Sequence, residues 1–464
     1  MTDADNIAEG AGALDLRGRV VLDGDPAFDD ARSVWNAIHD RRPAIIVQAA
    51  GVADVIAAIR FARAHELQIA VRGGGHNVAG NSTVEGGLVI DLAPMKGVRV
   101  DAEQRTVRIE GGVTLGDLDR ETEPYGLVVP VGVVSGTGVS GLMLGGGVGW
   151  LTRAYGLTID SLLEADVVTV DGKVVRAAPD GDADLFWAIR GGGGNFGVVT
   201  SMLFQAQALG PLVYAGSLVY ERPNWEGALR AFAAWTRDLP AELTSIVSFL
   251  RPHPDWDMGD EVLLIVGFSW AGPSQADGEA AVEALRTAAP PDSEAVGLNR
   301  WVAWQSAADD LFRKGLRAYW KNASLEDLSE PLFETLIEHA LRAPGLGSGV
   351  DIHHMGGAVA TTPDADTAFP NRQAPYWLNI YGVWKNPADD AKGRDWARNL
   401  HAAIKPFSSA GEYVNFLGAE GASSDTRAQG IAAYGQAKFD RLVAVKRRYD
   451  PSNLLRLNHN IPPD

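Results

Sequence analysis

Glycine is concentrated in three places: Gly73-Gly74-Gly75, the stretch from Gly136 to Gly149, and Gly191 through Gly194. Backbone N–H groups in such loops form concave nests for anions, and the missing side chains let the chain close on a phosphate. Any one of these loops taken alone reads better as a tight turn. Three of them between residues 73 and 194, in a chain that is otherwise acidic, point to a cofactor carrying a diphosphate. The surrounding residues exclude two common nucleotide sites. The run 191–197, GGGGNFG, contains Gly-x-Gly-x-x-Gly but leads into VVTSMLFQ, which has a strand pattern where the dinucleotide fingerprint opens a helix. Gly145 to Gly149 precedes no good helix, and Gly-x-x-x-x-Gly-Lys-[Ser/Thr] does not occur. A metal site is not expected either. His353 and His354 are adjacent on a strand pattern and so face opposite ways, and His76 with His459 has no carboxylate at ligand spacing.

The elements that must position these loops divide into two textures. In the first 210 residues, apolar residues at 52, 55, 56, 59 and 62 predict a helix over 53–66. Short strands are predicted at 69–72, 88–92, 98–100 and 106–110, and a hairpin joins 165–170 to 173–176 around Asp171-Gly172. From 211 onward the strand patterns lengthen, at 212–220, 261–270, 350–357 and 376–384. Amphipathic helix patterns separate them at 224–238, 274–287, 331–342 and 390–404. Long strands with helices between them predict one sheet covered on a single face. A last helix begins near 437 and stops at Asp450-Pro451.

Composition narrows the function classes. With 464 residues, 46% of them hydrophobic, the chain has ordinary globular composition for two or three domains. The net charge of −18 repels phosphate backbones, so nucleic acid is not an expected partner. Cysteine is absent, which removes disulfides, thiolate metal sites and thiol nucleophiles together. No run of 18 apolar residues suggests a membrane span. Met1 to Leu14 is acidic and has neither the basic nor the apolar region of a secretory leader, so a cytoplasmic location is expected. Oligomeric state is not legible.

The run Arg72-Gly73-Gly74-Gly75-His76 resembles the R-x-G-G-H motif of the vanillyl-alcohol oxidase superfamily, in its berberine bridge enzyme-like branch. Four further blocks match in order and spacing: GVVSGTGVSGLMLGGGVGWLTRAYGLTID (132–160), DLFWAIRGGGGNFGVV (184–199), YVNF (413–416) and FDRLVAVKRRYDPSNLLRLNHNIPP (439–463). The resemblance spans about residues 40–464 and is strongest to bacterial members, oxidases and polyketide-tailoring oxygenases among them. It implies an α+β chain with a two-domain, PCMH-type FAD-binding fold. Residues 1–210, completed by 425–464, would bind FAD, and 211–424 would form a substrate domain whose antiparallel sheet is covered on one face by helices.

Carried over residue by residue, the resemblance implies covalent attachment of FAD through His76. The second attachment that many relatives make from a cysteine falls at Val134, so one link only is expected. Arg72, Gly73, Gly74, Gly75, Asn77, Gly138, Gly141, Gly145, Gly146 and Val199 are the implied flavin contacts. Thr137 falls where a small residue leaves room for dioxygen, and it reads equally as a turn residue. Leu142 replaces a histidine of plant relatives. Asn458 and Asn460 match a C-terminal motif that returns to the flavin. The implied activity is oxidation of a C–H bond next to an alcohol or amine of a small molecule, with dioxygen reduced to peroxide. An oxygenase of natural-product tailoring is the alternative.

A base must take the heteroatom's proton, and strand alternation nominates the candidates. Tyr413 is first, Asp351 second and Tyr381 third, with His353, Asn415 and Asn379 as substrate contacts. Asp351, His353 and Met355 share one face, Ile352 and His354 the other. Tyr413 pairs with Asn415, and Tyr381 with Asn379. Trp320, Trp377 and Trp384 read as pocket or core.

Overall fold

A computed structural model describes Ile7, residues 10–12, and residues 14–252, 258–419 and 425–464. Near-continuous apolar runs such as Ile45–Gln48 and Leu88–Asp91 are buried on both faces, and they form a parallel core. Strands β1 (Arg19–Val21), β2 (Ile45–Gln48), β3 (Ile69–Arg72) and β4 (Leu88–Asp91) order as β1-β2-β4-β3, with only β1 antiparallel. The predicted helix is Val52–Ala64 and packs Val55, Ile59 and Ala62 on this sheet. A second, antiparallel sheet comprises β5 (Val98–Asp101), β6 (Thr106–Glu110), β8 (Leu162–Val168), β9 (Val174–Ala177) and β10 (Val198–Gln205). Short β7 (Leu127–Val128) pairs with β11 (Gln207–Ala208). The β8–β9 hairpin turns at Asp171-Gly172 as predicted.

Residues 212–409 supply a third sheet of eight strands, all antiparallel: β12 (Leu212–Tyr220), β13 (Leu243–Leu250), β14 (Leu263–Trp270), β15 (Ser293–Arg300), β16 (Arg317–Leu325), β17 (Gly349–His354), β18 (Tyr376–Trp384) and β19 (Ser408–Ser409). Their order is β15-β12-β14-β13-β17-β18-β16-β19. One face takes the helices Trp225–Trp235, Gln275–Ala288, Glu330–Ala340 and Asp390–Ile404 in a single apolar cluster with Val350, Ile352, Leu378 and Ile380. The other face turns toward the glycine loops. Strands β13, β15 and β16 escape the sequence pattern for a physical reason. β15 is a polar, half-exposed edge strand, and β16 spends Trp320 and Asn322 on the inner face.

The C-terminal helix Gln436–Tyr449 puts Phe439, Leu442 and Val443 into the cluster that holds Leu185, Phe186 and Ile189. Its buried Lys446 donates to Asp450, to the carbonyl of Leu455 and to that of Asn195 in the third glycine loop. Asn458 donates to the carbonyl of Gly194 at 2.7 Å, so the C-terminal strip is tied to that loop. The expected boundary at 424 falls on residues 420–424, outside the described residues.

Candidate active site

One cavity lies between the glycine loops and the inner face of the eight-stranded sheet. Its floor begins with Gly73, Gly74, Gly75, His76 and Asn77, which follow directly on β3. The first two glycine loops touch backbone to backbone: a Cβ on Gly74 would lie 2.3 Å from the nitrogen of Gly138. No side chain fits there. Thr137, Gly138, Gly141, Leu142 and Gly145 extend the floor, and Val199 and Asn458 close it from the third loop and the C-terminal strip. A Cβ on Gly141 would meet nothing within 4 Å, so that position leaves the cavity open.

Three of the expected flavin contacts sit elsewhere than in the cavity wall. Arg72 is buried with its guanidinium on Asp91, through bonds of 2.6 and 3.1 Å, and thereby braces the loop from behind. Gly146, at φ +137°, lies where a Cβ would be 2.6 Å from the ring of Phe369. Asn460 is half-buried, its side-chain oxygen is buried and unpartnered among the described residues, and it adjoins the lining residue His459 in sequence.

The roof follows from register. Asp351 pairs with Asn379 across β17 and β18, and Asn379 pairs with Asn322 on β16. Facing pairs share a sheet face, so Asp351, His353 and Asn379 all reach the cavity. His354 points the other way, as alternation requires. It is held by Arg153 at 3.0 Å and Ser245 at 3.4 Å, and burial with the nearby Arg153 charge pushes its pKa down to about 2. Met355 follows the strand and belongs to the core. Trp320 lines the cavity with Phe312 and Phe416, whereas Trp377 and Trp384 are core.

Asp351 is half-buried and lines this cavity. Burial raises its carboxyl to about 6 against the lowering effect of hydrogen bonds from Ser248 and Tyr381. Tyr381 donates its hydroxyl to Asp351 Oδ1 at 2.8 Å, and burial beside that carboxylate holds its pKa well above 10. Tyr413 does not lie on a strand. It precedes the 3-10 turn Val414–Phe416, and its partner Asn415 reaches back to it through the turn rather than along a shared strand face. The Tyr413 hydroxyl oxygen accepts from Gly147 N at 3.0 Å and Asn415 Nδ2 at 2.9 Å, yet burial raises its pKa to about 12. Desolvation lowers the half-buried His76 imidazole to about 4, so it is neutral and carries a lone pair.

The residues fit a large, polar, planar cofactor. Among the described residues, Ser82 Oγ, Trp320 Nε1, His353 Nε2, Asn379 Oδ1 and His459 Nε2 are buried without a partner, and all five residues line this one cavity. Buried polar atoms are normally satisfied, so a cluster of orphans marks where a ligand supplies the partners. Among the described residues the lining includes no Lys or Arg, which leaves a diphosphate to backbone N–H groups. Sequence reasoning singled out neither Ser82 nor Phe312 nor Tyr434 from this wall. Each is an ordinary residue in its own segment, and only the fold brings it to the cavity.

This glycine-lined cradle beneath a roof bearing an acid defines a flavin-dependent oxidoreductase, and the comparisons agree. The FAD binding domain model matches residues 43–178, and the berberine and berberine-like model matches 412–462. The chain is 30% identical to (R)-6-hydroxynicotine oxidase of Paenarthrobacter nicotinovorans over 97% of this chain and 98% of that one. It is 29% identical to an FAD-linked oxidoreductase of Dictyostelium discoideum over 92% and 91%. The crystal structure of 6-hydroxy-D-nicotine oxidase from Arthrobacter nicotinovorans superposes with a TM-score of 0.85 at 27% identity, covering 98% of this chain and all of that one. The fold is shared with BBE-like 1 of Physcomitrella patens, at a TM-score of 0.87, 21% identity and full coverage of both chains. The chain belongs to the berberine bridge enzyme-like family of FAD-linked oxidoreductases, with FAD as its cofactor and small molecules as the family's substrates. No helix among the described residues is long and apolar enough to cross a membrane.

Proposed function

We propose that this enzyme is an oxidase that takes hydride from a C–H bond next to an alcohol or amine of a small organic molecule, reducing dioxygen to hydrogen peroxide. We further propose that FAD is joined to the chain through His76 alone. The observation that carries the reading is Asp351, among the described residues the one carboxylate lining the cavity, placed opposite the loop that bears His76. Bound FAD supplies the acceptor for two electrons and their route to dioxygen. Everything else falls to side chains. Asp351 takes the substrate's heteroatom proton, a role that suits a carboxylate ionised above about pH 6. Tyr381 keeps that carboxylate oriented and, with its own proton committed to Asp351, is not itself the base.

Tyr413 follows Asp351 in this order. With two N–H donors on its oxygen and a pKa of about 12, it orients groups near Gly147 and Asn415 more readily than it accepts a proton. His353, Asn379 and Asn415 offer polar contacts to the substrate. Phe312, Trp320 and Phe416 give the chamber aromatic walls that exclude water and suit a flat or apolar substrate body. Val134 lines the cavity where many relatives carry the second attachment. One of the solved neighbours, a glucooligosaccharide oxidase from Acremonium strictum, has a 6-S-cysteinyl, 8α-N1-histidyl FAD, and this chain has no thiol with which to make the first of those bonds.

The test is a screen of alcohols and amines with peroxide as readout, followed by turnover under isotopically labelled dioxygen. Stoichiometric peroxide and unlabelled product support the oxidase. Labelled oxygen in the product replaces it with the oxygenase reading.

A further inference from the structure

His76 follows three glycines, so the residues just before it offer no side chain to hold the imidazole. A ring free to turn about two side-chain bonds presents its nucleophilic nitrogen in the right direction only part of the time. The structure supplies a brace from another part of the chain. The indole of Trp35 lies on the imidazole with centroids 4.6 Å apart and planes 22° from parallel. Trp35 is itself fixed on several sides. Its backbone N–H donates to Gly75 O at 3.0 Å, its carbonyl accepts from Gly315 N at 3.0 Å, and its indole N–H donates to Phe312 O at 2.5 Å. The edge of Trp320 meets it at 6.1 Å. The next residue continues the stitching: Asn36 donates to Val78 O beyond the loop and to Ala318 O in the roof.

We propose that Trp35 is the positioning residue for covalent flavin attachment, holding the His76 ring in the orientation from which its nitrogen bonds to the flavin methyl carbon. This rests on the reading of His76 as the attachment point. In the step, a bond forms between an imidazole nitrogen and the methyl carbon at position 8 of the flavin. That methyl group loses one proton, the imidazole gives up its N–H proton, and the flavin ring is left with two more electrons. Dioxygen takes those two electrons and two protons as hydrogen peroxide. Trp35 touches only the nucleophile and joins no bond. Its apolar face also adds to the burial that lowers the proton affinity of the imidazole. The other titratable residues lining the cavity are Asp351, His353, His459, Tyr413 and Tyr434. Arg72, behind the loop, is committed to Asp91, and Arg313 and Lys314, next to Phe312, are exposed.

The experiment uses the full chain produced under flavin limitation, then supplied with FAD in air. Covalent flavin is followed by in-gel fluorescence after denaturation, and total bound FAD by absorbance. Wild type, Trp35→Phe and Trp35→Leu are compared at pH 5.5 and 7.5. Trp35→Phe keeps a ring on the imidazole and should attach flavin within a few-fold of wild type. Trp35→Leu should still bind FAD but attach it at least roughly tenfold more slowly, the scale expected when a reacting group is misplaced. Because water then reaches the ring and restores its basicity, attachment in Trp35→Leu should also be slower at pH 5.5 than at 7.5, while wild type stays level. Attachment in Trp35→Leu at the wild-type rate overturns the proposal. So does loss of all FAD from both variants, which would make Trp35 a packing residue only. A wild type whose FAD is fully dissociable instead removes the covalent reading and is distinguishable from either result.

Discussion

Tyr381 and Asp351 sit on adjacent strands, and the tyrosine hydroxyl donates to Asp351 Oδ1 at 2.8 Å inside the cavity roof. In the proposed mechanism that bond leaves Asp351 as the base and Tyr381 as its donor. A phenol whose proton is committed to a carboxylate does not compete with it for the substrate's proton.

The first prediction follows from that pair. Asp351→Asn should lower the rate of anaerobic flavin reduction at least roughly tenfold, the low side of what a positioned general base contributes. Wild-type reduction should fall as pH drops through about 6, because the carboxyl must be ionised to accept a proton. Tyr381→Phe removes a bond that stabilises the ionised form, so its acid limb should move to higher pH. An Asp351→Asn enzyme reducing flavin at wild-type speed would return the role of base to Tyr413.

A second prediction concerns the linkage. Digestion and mass spectrometry should find flavin on one peptide, that containing His76, and none on the peptide around Val134. His76→Ala should lose flavin fluorescence on denaturing gels while still binding FAD, since the glycine cradle is untouched. Flavin on a second peptide would contradict single attachment.

The contact between glycine loops yields a third. Gly74→Ala places a Cβ 2.3 Å from the nitrogen and 2.8 Å from the Cα of Gly138, and neither backbone atom can swing aside as a side chain could. The loops must separate. Thermal unfolding should show a loss of stability of about 1–3 kcal/mol, typical of overpacking, and FAD affinity should fall with it. Gly141→Ala, within the helix Val139–Gly145 and with no neighbour within 4 Å, should not lower the stability of the flavin-free protein and should raise it by up to about 1 kcal/mol.

A fourth prediction lies away from the cavity. Asp119 is 1% exposed and accepts from Trp301 Nε1 at 3.0 Å, while its second oxygen has no partner among the described residues. Burial, with a lesser push from Glu123, raises its carboxyl from 3.8 to about 7. The folded protein therefore holds a proton there that the unfolded chain releases near pH 4, and stability is lost as pH rises from about 4 through 7. Asp119→Asn removes that loss, so it should raise the melting temperature more at pH 8 than at pH 5. The ceiling is roughly 4 kcal/mol at the higher pH. Equal shifts at both pH values would show that Asp119 is not protonated in the fold.

Much of this was legible along the chain because local chemistry is written locally. The loop Arg72–His76 needs glycine for backbone reasons, and the strand pattern after 191–197 was enough to set aside the Gly-x-Gly-x-x-Gly fingerprint that opens a helix. Alternation correctly sent His353 and His354 to opposite faces, since the period of a strand does not depend on its neighbours. The segment 413–416 was less legible. Read as extended it pairs Tyr413 with Asn415, and the turn makes the same pair by a different route. Strand β15 was missed because an edge strand needs no apolar face, and β16 because its inner face carries cavity residues in place of core ones.

The sequence by itself determined the cofactor class, the absence of any thiol to make a second link, and the short list of acids and phenols available as base. Those depend on residue types and on spacings of a few positions. Which acid serves the cavity was decided by register between strands far apart in the chain, since burial and hydrogen bonding, not residue type, set the proton affinities of Asp351 and Tyr381. The same holds for the stack of Trp35 on His76, joined to Phe312 by a bond spanning 277 residues. Contacts of that kind come from packing whole layers together, and no local pattern encodes them.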